Sequence, residues 1–417
     1  MQKIILLSIT LFIFFKTFSQ DKEYAISVVD SLTSQDFHGR GYVNNGDKIA
    51  AQFVKGEFKK FGLKSFGDNY LQQFTIPINT FADTLLVSVN NNRLIPGKDY
   101  VLFSSSPSVF GTFELIWCLL DSTGVPQLQS NYVMTDILDK VMVIDMNQKD
   151  FKKESNFKAK GIIFLRDEKV WWHVSNGKIV NDYFQLQIVK DKIPENSKTI
   201  TLQARNKYFD TYQTQNVVAY VEGKTYPDSF FVFTAHYDHL GQMGAETFFP
   251  GANDNASGTS MLLDLARHYS LPENQPDFSI AFIAFGAEEV GLLGSGYFTA
   301  NPLFPLENIK FLINLDMVGS GSEGIKIVNG TVFKKQFNKL VRINSENEYL
   351  LKVSERGEAA NSDHYPFFQK GVPCFFIYTL GKECKEYHNI YDTPKNVPFT
   401  EYEDLFRLLT DFIGTFK

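Results

Sequence analysis

From residue 215 onward the sequence predicts an α/β sandwich, in which helices cover both faces of a β-sheet. Apolar runs of strand length alternate there with helical stretches, and such nearly continuous runs are typical of strands covered on both sides. The predicted strands are 217–221, 230–235, 280–285, 309–315 and 373–378. The predicted helices are 256–269, whose apolar residues recur at helical spacing, and 401–416.

The earlier part of the chain adds a helix and a β-rich segment. A helix is predicted over 48–60 because apolar residues recur there along one helical face. Between residues 83 and 203 the pattern changes to short alternating segments that are typical of strands, without a long helix. The sequence therefore predicts a β-rich domain, 83–204, inserted into a larger domain that is formed by 20–82 and 205–417.

The first residues have the pattern of a secretory signal peptide. Lys3 supplies a positive charge, residues 4–15 form an apolar run, and a small residue, Ser19, precedes the expected cleavage site. The apolar run is shorter than the roughly twenty residues that a membrane-spanning helix needs. We therefore expect residues 1–19 to be removed and the protein to be secreted or periplasmic, without stable membrane insertion. The net charge of −6 argues against a nucleic-acid binder.

Three cysteines bear on the compartment and on metal binding. An oxidising compartment would permit a disulfide, and Cys374 and Cys384 are the only pair close in sequence. Cys118 is then expected to be a small buried apolar residue. Because no two cysteines have the C-x-x-C spacing of a structural zinc site, any metal ligands must be histidines and carboxylates.

Reactive side chains follow the predicted strands, where open α/β sheets bind their ligands. Taken singly, each has an ordinary explanation, since a histidine can be a satisfied core residue and an aspartate can cap a helix. Two adjacent carboxylates after a buried strand are costly, however, unless cations neutralise them. Imidazole and carboxylate together are ligands that suit zinc. The residues concerned are His236, Asp238, Asp254, Glu288, Glu289, Asp316 and His388.

Six motifs in a fixed order carry a resemblance to a known family. They read A-H-Y-D-H-L-G, G-A-N-D-N-A-S-G, E-E-x-G-L-L-G-S, N-L-D-M-V-G, S-D-H-Y-P-F and Y-H-N-I-Y-D-T. The series resembles the two-zinc co-catalytic exopeptidases, which include bacterial leucyl-type aminopeptidases and glutamate carboxypeptidase, and it covers roughly 21–82 and 205–417. The resemblance implies the zinc exopeptidase fold, a mixed and mostly parallel sheet sandwiched between helices. The inserted segment is loosely similar to a protease-associated domain.

The resemblance also implies a binding site for two zinc ions per chain. His236 and Asp316 would hold one ion, Glu289 and His388 would hold the other, and Asp254 would bridge both. Two such ions polarise a scissile carbonyl and acidify the attacking water.

Further roles follow from the same resemblance. Asp238 would orient the first histidine ligand, and Glu288 would act as general base and then as general acid. The peptide bond between Asp254 and Asn255 is expected to be cis. No role is assigned to His173 or His239.

The polarity of the predicted cleft favours an aminopeptidase that acts on peptides with a free N-terminus. A carboxypeptidase needs a cation for the substrate carboxylate, and neither Arg356 nor Lys382 belongs to a motif that would place it in the cleft. A carboxypeptidase or dipeptidase of the same family is the alternative. Two other classes are a glutaminyl-cyclase-like enzyme with one zinc and a non-catalytic ectodomain like transferrin receptor. The complete set of candidate ligands favours two metals and hydrolysis over the one-zinc enzyme. The same set together with Glu288 argues against the non-catalytic ectodomain.

Overall fold

The computed structural model describes residues 21–120, 126–127, 137–145, 159–175 and 180–416. The predicted signal peptide, 1–19, lies outside these ranges. Within them, no helix is both long enough and apolar enough to cross a bilayer.

The described residues form seven α-helices, and three of them correspond to the predicted helices. The predicted helix 48–60 begins two residues earlier, and the predicted helix 401–416 is slightly shorter. The helix expected from residue 256 begins at Gly258, because a π-helical turn, Ala252–Ser257, comes first. The helices are α1 (Lys22–Leu32), α2 (Gly46–Lys60), α3 (Gly258–Ser270), α4 (Leu293–Ala300), α5 (Lys334–Asn347), α6 (His364–Gln369) and α7 (Tyr402–Gly414).

Nineteen strands lie in the described ranges, and they include all five strands predicted after residue 215. In chain order they are β1 (Leu71–Thr80), β2 (Leu86–Val89), β3 (Asn92–Arg93), β4 (Tyr100–Leu102), β5 (Val109–Leu120), β6 (Pro126–Gln127), β7 (Val141–Asp145), β8 (Gly161–Arg166), β9 (Phe184–Val189), β10 (Thr199–Ala204), β11 (Lys207–Val221), β12 (Tyr226–His236), β13 (Gly241–Met243), β14 (Thr247–Phe249), β15 (Phe278–Phe285), β16 (Ile309–Leu315), β17 (Gly324–Val328), β18 (Val353–Glu355) and β19 (Cys374–Leu380).

The larger part of the chain is built on a mixed sheet, as predicted, and this sheet has eight strands. The strand order is β1-β11-β15-β12-β16-β19-β17-β18, and the four central strands β15, β12, β16 and β19 run parallel. One face packs against α1, α2, α3 and α7, and the other packs residues such as Phe298 of α4 and Phe367 of α6. Because the central strands are parallel, their carboxyl ends share one edge of the sheet.

A second sheet holds most of the remaining strands, in the order β3-β2-β10-β5-β7-β8-β9-β4. The chain leaves the first sheet after β1 and returns to it at β11, and β1 and β11 pair with each other. The segment 83–204 is therefore an excursion from between two neighbouring strands. Its apolar core also includes Leu240, Met243 and Phe249, so it packs directly against the segment that follows β12.

The first helix of the structure, α1, was not expected from the sequence. The Asp21 side chain accepts a hydrogen bond from the Tyr24 amide and so caps the helix. Its buried residues, Ala25, Val28, Val29 and Leu32, have the spacing of one helical face. This signal was present in the sequence, but it follows directly on the apolar run of the predicted signal peptide.

All three cysteines lie within the described ranges and are free thiols. Cys118 is buried, as expected. Cys374 is buried in β19, and its Sγ contacts the His364 carbonyl at 3.5 Å rather than Cys384. The permitted Cys374–Cys384 disulfide is therefore not formed.

Candidate active site

The predicted ligand residues converge at the carboxyl edge of the central parallel strands. His236 is the last residue of β12, Glu289 follows β15, and Asp316 follows β16 directly. His388 lies in the loop after β19, and Asp254 lies in the π-helical turn before α3. Parallel pairing brings these positions together although they span more than 150 residues of sequence.

Asp254 stands between the two histidines. Its Oδ1 lies 3.4 Å from His236 Nε2, and its Oδ2 lies 3.1 Å from His388 Nε2. The backbone amides of Asn253 and Asp254 both donate to the Asp392 carboxylate, at 2.9 and 3.0 Å, which fixes the turn. The Asp254–Asn255 peptide bond is cis, as predicted. One carboxylate therefore offers a separate oxygen to each of two neighbouring positions.

The first position is formed by His236, Asp254 and Asp316. Asp316 Oδ1 lies 3.4 Å from His236 Nε2, is buried, and has no hydrogen-bond partner among the described residues. Asp316 Oδ2 accepts a 2.7 Å hydrogen bond from the Ser362 hydroxyl, which is itself held by the Asn314 amide at 2.7 Å. A buried carboxylate oxygen without a donor is costly unless a cation meets it, and this oxygen points at the other two ligands.

The second position is formed by His388, Asp254 and Glu289. Glu289 Oε2 lies 3.2 Å from His388 Nε2, and Glu289 Oε1 lies 2.6 Å from His239 Nδ1. His239 is fully buried and has contacts with the site that the sequence pattern did not predict. Its effect is to hold one oxygen of Glu289 so that the other faces His388.

The electrostatics of both positions favour a cation. Burial lowers the pKa of His388, but the carboxylates of Glu289 and Asp254 outweigh burial and raise this pKa to about 11. The same balance raises the pKa of His236 well above its usual range, since Glu288 and Asp316 surround it. Donor atoms of His236, Asp254 and Asp316 lie within 4.8 Å of one another, as do those of His239, Asp254 and Glu289, and mixed nitrogen and oxygen donors of this kind fit zinc.

Asp238 does not contact the His236 ring with its carboxylate as expected. The Asp238 Oδ1 lies 3.8 Å from His236 Nδ1, and the hydrogen-bond partner of that nitrogen is the Asp238 backbone carbonyl, at 3.2 Å. The carboxylate instead accepts the backbone amides of Glu288 and Glu289, at 3.1 and 3.3 Å. The reason is that β12 ends at His236, so the alternation of side chains along a strand does not set the direction of the Asp238 side chain. Asp238 therefore positions the two glutamates, and its backbone orients the histidine.

Glu288 lies next to the first position but farther from His236 than Asp254 and Asp316 do. Its Oε2 is 4.0 Å from His236 Nε2, and its side chain is 13% exposed. Burial raises the pKa of Glu288 well above its usual range, and the carboxylates of Asp363 and Glu289 add to this effect while His236 opposes it. A carboxyl group with a raised pKa is suited to take up and release a proton.

Arg40 supports the backbone of the site through hydrogen bonds, and the sequence patterns did not predict this role. Its side chain is fully buried, and its guanidinium donates to the backbone carbonyls of Tyr237, Pro250 and Gly251 at 2.8, 2.5 and 2.8 Å. It also reaches the Asp254 carbonyl at 3.3 Å. Arg40 thus connects the end of β12 to the turn that carries the shared aspartate.

The remaining residues singled out in the sequence lie around the site or away from it. The Tyr387 ring stacks on His388 at 3.8 Å and remains 44% exposed. Arg356 contacts the Tyr378 hydroxyl at 3.4 Å, and Lys382 lies 3.9 Å from Glu323. Neither cation has a described contact with the ligand residues. His173, to which no role was assigned, contacts His388 directly.

Comparison with known proteins gives similarities to metallopeptidases. The sequence model of Peptidase family M28 matches residues 216–413. Aminopeptidase YwaD of Bacillus subtilis is 34% identical over 196 residues, which cover 46% of this chain and 41% of that protein. A probable zinc metalloprotease of Leptosphaeria maculans is 38% identical over 109 residues, or 26% of this chain and 25% of that protein. The matches thus span less than half the length of these curated relatives.

The fold is shared over nearly the whole chain with a solved structure. The zinc aminopeptidase BSAP from Bacillus subtilis superposes with a TM-score of 0.69 at 22% sequence identity. The superposition covers 94% of each chain, so it includes the excursion 83–204 as well as the larger sheet.

Proposed function

We propose that this chain is a zinc-dependent aminopeptidase that holds two zinc ions, because residues 216–413 match the sequence model of Peptidase family M28. The observation that carries the proposal is the position of Asp254, whose two oxygens face the Nε2 atoms of two different histidines. A carboxylate that only capped a helix would have no reason to face both rings. Relatives named as an aminopeptidase and as a probable zinc metalloprotease support the same activity.

In the proposed site, His236 and Asp316 would hold one zinc ion, and Glu289 and His388 would hold the other. Asp254 would bridge the two ions. The unpartnered Oδ1 of Asp316 and the Oε2 of Glu289 are the oxygens available for this purpose. When bound, the ions would supply Lewis acidity to the scissile carbonyl and to the attacking water.

The protein's own residues would carry the proton transfers. We assign Glu288 the role of accepting a proton from the attacking water and returning it to the leaving amine. Asp238 supports this role, since its carboxylate holds the Glu288 amide and so fixes where the side chain begins. Burial raises the pKa of Glu288, which strengthens its carboxylate as the acceptor of the water's proton.

The charges around the site support attack at a free α-amine. A substrate carboxylate would need an accessible cation, but Arg40 is fully buried and donates to backbone carbonyls. Arg356 and Lys382 contact Tyr378 and Glu323 instead. The carboxylates of the site favour an ammonium group.

A panel of dipeptides tests the direction of attack. The zinc-loaded protein should cleave free and C-amidated dipeptides, while N-acetylated dipeptides should remain intact when products are identified by mass spectrometry. The opposite pattern would indicate the alternative carboxypeptidase or dipeptidase. Conversion of N-terminal glutamine to a ring without peptide-bond cleavage, with one zinc per chain, would indicate the glutaminyl-cyclase-like alternative.

We also propose that the protein is exported, on the strength of Lys3 and the apolar run 4–15. Mass spectrometry of the N-terminus of the protein recovered from outside the cytoplasm should give a chain that begins at residue 20. A chain that retains residue 1 in the cytoplasm would contradict this.

A further inference from the structure

We infer that the inserted segment completes the zinc site through His173, which acts as a positioning residue for His388. This inference rests on the proposed function, because it takes His388 to be a zinc ligand. It adds a contribution from outside the family-matched residues 216–413.

The contact is direct and involves the ring edge opposite to the ligand position. His388 Nε2 faces Asp254 and Glu289, at 3.1 and 3.2 Å, while His388 Nδ1 lies 3.0 Å from His173 Nδ1. The two rings meet edge to face, with centroids 4.7 Å apart. His173 is exposed and His388 is buried, so His173 forms the outer layer over this ligand.

The pairing of two Nδ1 atoms fixes the tautomers of both rings. Only one of the two nitrogens can carry the shared proton in a hydrogen bond of this length. If His388 is to present a lone pair at Nε2, its proton must be on Nδ1, and His173 Nδ1 must then accept. A histidine ligand usually donates its second N–H to a carboxylate or carbonyl, and that partner fixes the orientation of the ring. His173 takes the place of that partner here.

The segment that carries His173 is held against the His388 loop by other contacts. The Trp172 amide donates to the His388 carbonyl at 2.9 Å, and the Trp172 Nε1–H donates to the Leu102 carbonyl at 2.8 Å. Lys169 pairs with Glu386 at 2.6 Å. His388 also has a positive φ of 51°, a conformation that a non-glycine residue keeps only when its surroundings hold it. The inserted segment thus fixes both the backbone and the ring of this ligand.

The test separates hydrogen bonding from packing by two substitutions at one position. His173→Phe keeps a ring against His388 but removes the acceptor, whereas His173→Asn keeps an acceptor near the place of Nδ1. Zinc content per chain is measured by mass spectrometry after equilibration in a series of chelator-buffered zinc concentrations. His173→Phe should bind one of the two zinc ions about tenfold more weakly than the wild type, and His173→Asn should stay within about threefold.

Two further variants make the result decisive. Lys169→Met breaks a partly exposed ion pair of the same segment, which contributes little, while the two Trp172 hydrogen bonds remain, so this variant should bind zinc like the wild type. Equal zinc loss in Lys169→Met and His173→Phe would overturn the inference, because the effect would then come from docking of the segment. If His388→Ala loses one zinc ion while His173→Phe keeps both at wild-type affinity, the inference about His173 is wrong and the proposed ligand set stands. If His388→Ala keeps both ions, the proposed ligand set is wrong, and the inference falls with it.

Discussion

Replacing Arg40 with methionine should destabilise the turn that carries Asp254 and weaken zinc binding. Methionine fills a similar volume but cannot donate hydrogen bonds. The backbone carbonyls of Tyr237, Pro250 and Gly251, which Arg40 contacts at 2.5 to 2.8 Å, would lose this donor inside a fully buried region.

The size of the effect follows from those contacts. The Gly251 carbonyl would keep a hydrogen bond from the Ala256 amide, but the Leu32 carbonyl, which Arg40 contacts at 3.1 Å, would lose its donor. A buried acceptor left without a donor costs about 1–3 kcal/mol, so the carbonyls of Leu32, Tyr237 and Pro250 would cost about 3–9 kcal/mol if their contributions were independent. They share one guanidinium and are not independent, and the low end of that range is therefore the better expectation. The carboxylates of Asp392 and Asp254 would lose a compensating charge as well, which acts in the same direction. We expect Arg40→Met to lower the free energy of unfolding by at least about 3 kcal/mol.

Urea unfolding of the zinc-free protein, followed by tryptophan fluorescence, measures this loss without the contribution of metal. Arg40→Lys is the matched variant, because it keeps the charge and some donors and should lose less. If Arg40→Met does not fold at all, the Arg40→Lys variant still tests the ranking. A loss below about 1 kcal/mol in Arg40→Met would refute the view that Arg40 braces the turn.

Three other predictions concern the base, a ligand support and pH. Glu288→Gln should keep both zinc ions and lose at least about a hundredfold in turnover, whereas Glu289→Gln should lose a zinc ion. Metal content and peptide hydrolysis measure both effects, and the opposite pattern would reverse the roles of the two glutamates. Ser362→Ala removes the donor to Asp316 Oδ2 and should weaken zinc binding about tenfold in chelator titrations, and unchanged affinity would refute that support. Burial, and to a lesser extent the charge of Arg267, lowers the pKa of His268 to about 4. In the unfolded chain this pKa is near 6.5, so the unfolded state binds more protons than the folded state between these two values. The free energy of unfolding should therefore fall as the pH drops from about 6.5 to 4. His268→Gln should show a smaller decrease in Tm over that interval, and an equal decrease would contradict the assignment.

The sequence predicted the larger sheet because its strands are local apolar patterns. It also predicted that the proposed ligand residues lie together, because the carboxyl ends of parallel strands lie at one edge of a sheet. Buried parallel strands are nearly continuous apolar runs, and residues that follow such strands share an edge. His236 and Glu289 could therefore be placed together without knowing any side-chain contact. The start of α3 was misplaced by two residues, since helical spacing does not distinguish a π-helical turn from an α-helix.

The residues that support the ligands could not be predicted in the same way. Arg40 lies in a segment without strand or helix periodicity, and it reaches carbonyls about 200 residues away. His173 reaches His388 across 215 residues, from a segment that carries no family motif. Asp238 has the expected neighbour in sequence, but it lies beyond the end of β12, and its carboxylate contacts the amides of Glu288 and Glu289 instead. Contacts of this kind depend on the path of loops, for which sequence offers no periodicity.

If the five proposed ligands bind zinc, their origin in five separate segments would link the lifetime of the molecule to the supply of metal. An unfolded chain cannot assemble these ligands, so zinc would bind the folded state almost exclusively. Free zinc at a thousand times its dissociation constant would then add about 4 kcal/mol to the free energy of unfolding. Without zinc this contribution would be absent, and a larger fraction of unfolded chains would be exposed to proteolysis. A zinc-starved environment would therefore remove the protein itself as well as its activity.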